Sequence, residues 1–114
     1  MAGKRILVVE DEFLIALDIT GALEQAGFTV VGPAGTVRDA LSAIAREELH
    51  GALLDAHLGG ESVGSIADAL RARAVPFAFV TGYGREQLPD AHRSVPLIKK
   101  PFTDKELLAA VELF

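Results

Sequence analysis

The run Gly51-Ala52-Leu53-Leu54 has no polar side chain and then stops on a carboxylate, Asp55. A strand with one face in water alternates apolar and polar residues. A run without alternation is covered on both faces, as in a parallel sheet clothed by helices. Ile6-Leu7-Val8-Val9 and Phe77-Ala78-Phe79-Val80 have the same character, and they stop at Glu10-Asp11-Glu12 and at Thr81. After Asp55, His57-Leu58-Gly59-Gly60 supplies a glycine turn that leaves room around the carboxylate. At the carboxyl edge of a parallel sheet, ligands and chemistry collect.

Helical patterns separate these strands. Ile15, Ile19, Ala22, Leu23 and Ala26 recur at helical spacing, and Gly27 ends that helix. Phe28-Thr29-Val30-Val31 is expected as the second strand, closed by Gly32-Pro33. Thr36 with Asp39 reads as a helix cap, followed by a buried stripe of Val37, Leu41, Ile44 and Ala45. Val63, Ile66, Ala67 and Leu70 mark a third, shorter helix before Pro76. Leu97-Ile98 is a short fifth strand, and its neighbour Pro96 suits an edge or a strand start. The last helix opens at Thr103, where Glu106 completes a capping box and Phe102 can staple onto Leu107; Leu107, Leu108 and Val111 form its packed face. This alternation predicts an α/β fold with a parallel five-stranded sheet and helices on both faces.

Composition narrows the function. The chain has 114 residues, suited to a single domain spanning 1–114 with no output domain, and its formal net charge is -5. That balance argues against sequence-independent binding to nucleic acid or to an anionic membrane. With no cysteine, disulfides, thiolate metal sites and cysteine nucleophiles are excluded. No apolar run approaches the ~18 residues of a spanning helix, and the N-terminus lacks a signal-peptide pattern, so the cytoplasm is the expected compartment.

The strand ends gather Glu10, Asp11, Asp55, Thr81 and Lys100 on one edge. Two ionised carboxylates at ~4 Å repel by about 4 kcal/mol at an effective dielectric of ~20. Lys100 offsets part of that repulsion, and a divalent cation would offset the rest. Oxygen ligands without a histidine or cysteine side chain favour a hard ion such as Mg²⁺. Such an ion suits phosphoryl transfer, for which Asp55 is a competent nucleophile. Lys100 and the Thr81 hydroxyl are placed to meet phosphoryl oxygens.

Val8-Val9-Glu10-Asp11-Glu12, Leu53-Leu54-Asp55 followed by Leu58-Gly59-Gly60, Thr81-Gly82 and Lys100-Pro101-Phe102 occur in order along almost the whole chain. Together they resemble a response-regulator receiver domain of two-component signalling. The resemblance implies a doubly wound, flavodoxin-like sheet with strand order 2-1-3-4-5. It implies a phosphoacceptor at Asp55, charged by a histidine kinase or a histidine phosphotransfer protein. It implies Mg²⁺ held by Glu10, Asp11, Asp55 and the backbone carbonyl of His57, with Thr81 and Lys100 contacting the phosphoryl group. It also implies a cis Lys100-Pro101 bond. Two features depart from the usual pattern. Leu97 stands where receivers usually carry the aromatic partner of the threonine, and Phe77 to Gly84 resembles a subgroup with a Phe-Ala-Thr-Gly-Tyr-Gly-like segment after the fourth strand.

Other residues have plainer readings. Glu12 suits a helix start, and the side chains of His50, His57, His92, Lys99, Arg71 and Arg73 are expected at the surface, with Tyr83 either packing or switching. Arg85 to Leu88 can begin a helix that Pro89 would interrupt. Residues 82–95 are expected to be a mobile output element, since Gly82, Gly84 and Pro89 leave few apolar anchors. The leading reading is a signalling module acting through protein contacts. The alternatives are a Mg²⁺-dependent phosphatase-like enzyme on an external substrate and a flavin or nucleotide carrier, the latter opposed by acids where a phosphate loop needs glycine.

Overall fold

The computed structural model describes residues 3–59, 61–82 and 95–114. In chain order its elements are β1 (Arg5–Val9), α1 (Phe13–Gln25), β2 (Thr29–Ala34), α2 (Val37–Arg46), β3 (Gly51–Asp55), α3 (Gly64–Ala72), β4 (Phe77–Thr81), β5 (Leu97–Lys99) and α4 (Asp104–Val111). The strands form one parallel sheet in the order β2-β1-β3-β4-β5, as the resemblance implies. Strand order reverses beside β1, which opens a crevice at the carboxyl ends of β1 and β3.

Alternating side chains build two cores. Leu7, Val9, Leu54 and Phe79 pack under α2 and α3 with Ala40, Ile44, Ile66 and Leu70. Ile6, Val8, Leu53, Val80 and Ile98 pack under α1 and α4 with Ile19, Leu23, Leu107 and Val111. This two-sided cover is why the central strands read as unbroken apolar runs. Among the described residues, no helix is long and apolar enough to cross a membrane.

Local chemistry sets the helix ends. Gly27, at φ +93°, lets α1 close with Gly27 N–H donating to Glu24 O and Phe28 N–H to Leu23 O, both at 3.0 Å. Thr36 caps α2 by accepting from Asp39 N–H at 3.1 Å. Thr103 and Glu106 form the expected capping box of α4, and Phe102 joins Leu107 in the same apolar cluster.

The structure corrects four local expectations. Strand β2 does not close at Gly32-Pro33 but continues through it to Ala34, with a register shift against β1 between Leu7 and Val9. That irregularity lets the strand carry a proline, as bulged edge strands can. In α2 the buried face is Ala40, Ala43 and Ile44, with Val37 and Leu41 partly covered, while Ala45 is exposed. Ala26 is also exposed, because α1 has ended before it can turn inward. His50 is half-buried, and its Nδ1 accepts from Arg5 N–H at 2.9 Å. The Gly32-Pro33 and Lys100-Pro101 bonds are both cis, the second as expected. Gly60, Tyr83, Gly84, His92, the helix start at Arg85–Leu88 and all of the 82–95 element except Gly82 and Val95 lie outside the described residues.

Candidate functional site

Register brings the acids together. Val9 pairs with Leu54 and Asp55 with Val80, so Glu10 leaves β1 beside Asp55 at the end of β3. Thr81 pairs with Lys99 at the end of β4, which puts Lys100 one residue beyond the last rung. Lys100 N–H donates to Thr81 O at 2.8 Å and fixes that corner. Glu10, Asp55 and Lys100 continue the alternation of Val8, Leu53 and Ile98, so they lie on the α1–α4 side of the sheet, whereas Thr81 follows Phe79. Lys99 takes the opposite face and is exposed, as its position predicts.

Glu10 and Asp55 are only 3% and 4% exposed, unusual burial for carboxylates outside a functional or paired setting. Asp11 beside them is exposed. The three offer carboxylate oxygens that all lie within 4.8 Å of one another. Lys100 Nζ stands 3.1 Å from Glu10 Oε1 and 3.7 Å from Asp55 Oδ2. Glu10 Oε2 accepts from Glu12 N–H at 3.1 Å, and Asp55 Oδ1 accepts from His57 N–H at 3.0 Å. Glu12 is the N-cap residue of α1, without a side-chain cap hydrogen bond, and its charge also acts on Lys100. The His57 side chain is exposed and Thr81 is buried at the end of β4.

The electrostatics follow from burial. Desolvation is the largest influence on Glu10. With the hydrogen bond and charge of Asp55 it pushes the carboxyl up to about 7, against the opposing pull of Glu12 N–H and Lys100. For Lys100, burial works to lower the pKa, but the Glu10 contact and the charges of Asp55, Glu10 and Glu12 outweigh it and hold it above the usual lysine value.

These residues suit a hard cation. Every donor is an oxygen, and Glu10 Oε1 is a buried atom that has the Lys100 charge beside it but no aligned hydrogen bond. A buried lone pair left this way is costly unless another group uses it. The acidic cluster can therefore hold a metal, in an arrangement where one carboxylate also faces solvent.

Sequence reasoning found this cluster but passed over two features. Phe13 and Leu14 are each 73% exposed and Leu17 is 51% exposed on the first turns of α1, next to the acids. Their exposure was hidden because α1 is apolar on nearly every side. The Glu61 carboxylate accepts from Val37 N–H at 3.4 Å, a contact between loops for which the sequence carries no signal.

No family model matches the chain. It is 33% identical over 114 residues to the phyllosphere-induced regulator PhyR of Methylorubrum extorquens, covering 96% of this chain and 42% of that protein. The chain spans about half the length of the curated relatives it matches. SdrG from Sphingomonas melonis Fr1 has a solution structure that matches with a TM-score of 0.86 at 38% identity, covering 98% of this chain and 96% of that one. A response regulator receiver domain protein (CheY-like) from Methanospirillum hungatei matches with a TM-score of 0.84 at 26% identity, over 98% and 93% of the two chains.

Proposed function

This chain belongs to the response-regulator receiver domains, and from that premise we propose that Asp55 accepts a phosphoryl group from a phosphohistidine donor, with Mg²⁺ held by Glu10, Asp11, Asp55 and the His57 carbonyl. The observation that carries this reading is the buried Glu10–Asp55 pair in contact with Lys100. Asp55 Oδ1 is held by His57 N–H, so attack is assigned to Oδ2. Oδ2 forms a bond to phosphorus, the nitrogen–phosphorus bond breaks, and its electron pair returns to the donor imidazole. The product is an acyl phosphate.

Lys100 neutralises a phosphoryl oxygen as charge moves onto Asp55, and the Thr81 hydroxyl donates to another. When bound, the cation supplies charge neutralisation at the phosphoryl oxygens. Burial of Asp55 keeps bulk water from the nucleophile before transfer.

The donor is a histidine kinase or a histidine phosphotransfer protein, and output is through protein contacts in the cytoplasm. Relatives named as regulators support signalling over the phosphatase-like alternative. A small-molecule donor such as phosphoramidate tests the chemistry without a known kinase. Wild type with Mg²⁺ is expected to gain an acid-labile, hydroxylamine-sensitive phosphate, and Asp55→Asn to lose it. Undiminished labelling of the variant overturns the assignment.

A further inference from the structure

The amino edge of the sheet, at the opposite end from Asp55, carries a cavity of about 550 Å³, within the size range of small-molecule sites. Phe77 opens β4, and Val95 and Pro96 lead into β5, so the strands that end at Thr81 and Lys99 begin at this cavity. Val75, Phe77 and Val95 are buried beneath it. Residues 113 and 114 form one wall, where Leu113 is 77% exposed. Phe114 is fixed twice. Its ring occupies the space that a Cβ on Gly51 would need, and its backbone O accepts from Lys4 Nζ at 2.7 Å. The wall is therefore preformed.

Hydrogen-bond accounting narrows what can occupy it. Ala74 N–H donates to Arg71 O, Val75 N–H to Leu70 O, Leu113 N–H to Ala110 O and Phe114 N–H to Val111 O. Pro76 and Pro96 have no N–H, and their carbonyls already accept from Ala52 N–H and Phe79 N–H. Donor capacity is thus concentrated in Arg71, the charged residue of the lining. A polypeptide strand laid here would bring amide groups that these spent backbone groups cannot pair, which is costly. An apolar body with a single anionic end leaves no such debt. Arg71 and Arg73, in the last turn and at the C-cap of α3, have no ion-pair partner among the described residues.

We propose that this groove binds a small amphipathic anion, an apolar chain ending in a carboxylate, with the chain laid over Val75, Phe77 and Val95 and the carboxylate on the Arg71 guanidinium. Apolar contact supplies the attraction, and the planar guanidinium selects a carboxylate over a neutral or cationic head. The site is separate from the acidic cluster, so it stands or falls independently of the phosphoryl and metal readings.

The test is a titration of the folded chain with octanoate, followed by the NMR methyl signals of Val75, Val95 and Leu113. Octanol and octylammonium keep the tail and change the head, and acetate keeps the head without the tail. Octanoate is expected to shift these methyls saturably and to bind about threefold to fivefold more tightly than octanol, the gain of one exposed charge pair. Octylammonium is expected to bind more weakly than octanol, and acetate to leave the methyls unmoved. Arg71→Gln should bring octanoate down to the affinity of octanol and leave octanol unchanged. Leu113→Gln, a surface change that spares the fold, should weaken octanoate and octanol alike. The proposal is overturned by the absence of a saturable shift, or by shifts confined to Phe13, Leu14 and Leu17. It is equally overturned by octanol binding as tightly as octanoate, by octanoate affinity unchanged in Arg71→Gln, or by octanol affinity unchanged in Leu113→Gln.

Discussion

Lys100 spends its charge on Glu10 before anything else arrives. Its Nζ is 3.1 Å from Glu10 Oε1 but 3.7 Å from Asp55 Oδ2, so Asp55, the proposed nucleophile, is the more distant partner. The ammonium lies nearer the buried acid whose Oε1 has no aligned hydrogen bond. On the proposed metal reading, a cation held by Glu10 would leave the Lys100 charge to Asp55.

The Glu10 carboxyl gives the metal-free protein a specific pH dependence. Its pKa rises from 4.5 to about 7 on folding, so between those values the folded state holds a proton that the unfolded state has released. Stability therefore falls as pH rises through this window, by at most about 1.4 kcal/mol per unit, and levels off above it. Chemical denaturation in chelator should show this slope in wild type and a flatter profile in Glu10→Gln. Parallel profiles refute the buried-acid account.

Lys100→Met keeps the stem of the side chain and removes its charge. At about pH 8, above the Glu10 value of about 7, we expect a loss on the order of 1–3 kcal/mol. Near pH 5 Glu10 carries a proton in the folded state, and the loss should shrink. Equal destabilisation at the two pH values would mean that packing of the stem, not the ion pair, is what the substitution removes.

The legible parts of this protein are those whose cause is local. Thr36 with Asp39 and Thr103 with Glu106 mark helix starts because capping partners lie three residues apart, and both caps form. Glu10, Asp55 and Lys100 were readable because each directly ends or follows an apolar strand. What escaped depends on distant partners or on residues that fit either role. Arg5 N–H bonds to His50, 45 positions away, and no sequence pattern links them. In α2, Ala40, Ala43 and Ala45 are chemically alike, so only packing decides which of them is buried. Gly32-Pro33 reads as the end of a strand, yet a register shift carries β2 past it.

Mg²⁺ should stabilise the domain by mass action. At ~10–100 times the dissociation constant, the expected gain is about 1–3 kcal/mol, visible as a rise in melting temperature. Asp11→Asn removes the charge of the proposed ligand that faces solvent, so it should reduce that gain without the fold penalty of changing Glu10 or Asp55. An unchanged melting temperature at saturating Mg²⁺ in wild type would count against a carboxylate cation site.

The exposed apolar start of α1 allows recognition to be tested apart from chemistry. Phe13, Leu14 and Leu17 begin immediately after the acids, and none of them is needed by the core. Apolar side chains grouped beside a reactive site suit a partner's apolar surface better than water. A phosphohistidine-bearing helix resting on them would bring its imidazole toward Asp55. Leu14→Glu and Leu17→Glu should therefore alter stability by no more than about 0.5 kcal/mol, as surface changes usually do. Labelling by phosphoramidate should be unchanged, because that small donor would engage only the proposed site at the sheet edge and not α1. Transfer from a phosphorylated histidine domain should fall about tenfold or more, the loss of ~1.4 kcal/mol of transition-state binding. Equal losses with both donors would place these residues in the chemistry of the site, and no loss with either would leave α1 without a part in recognition.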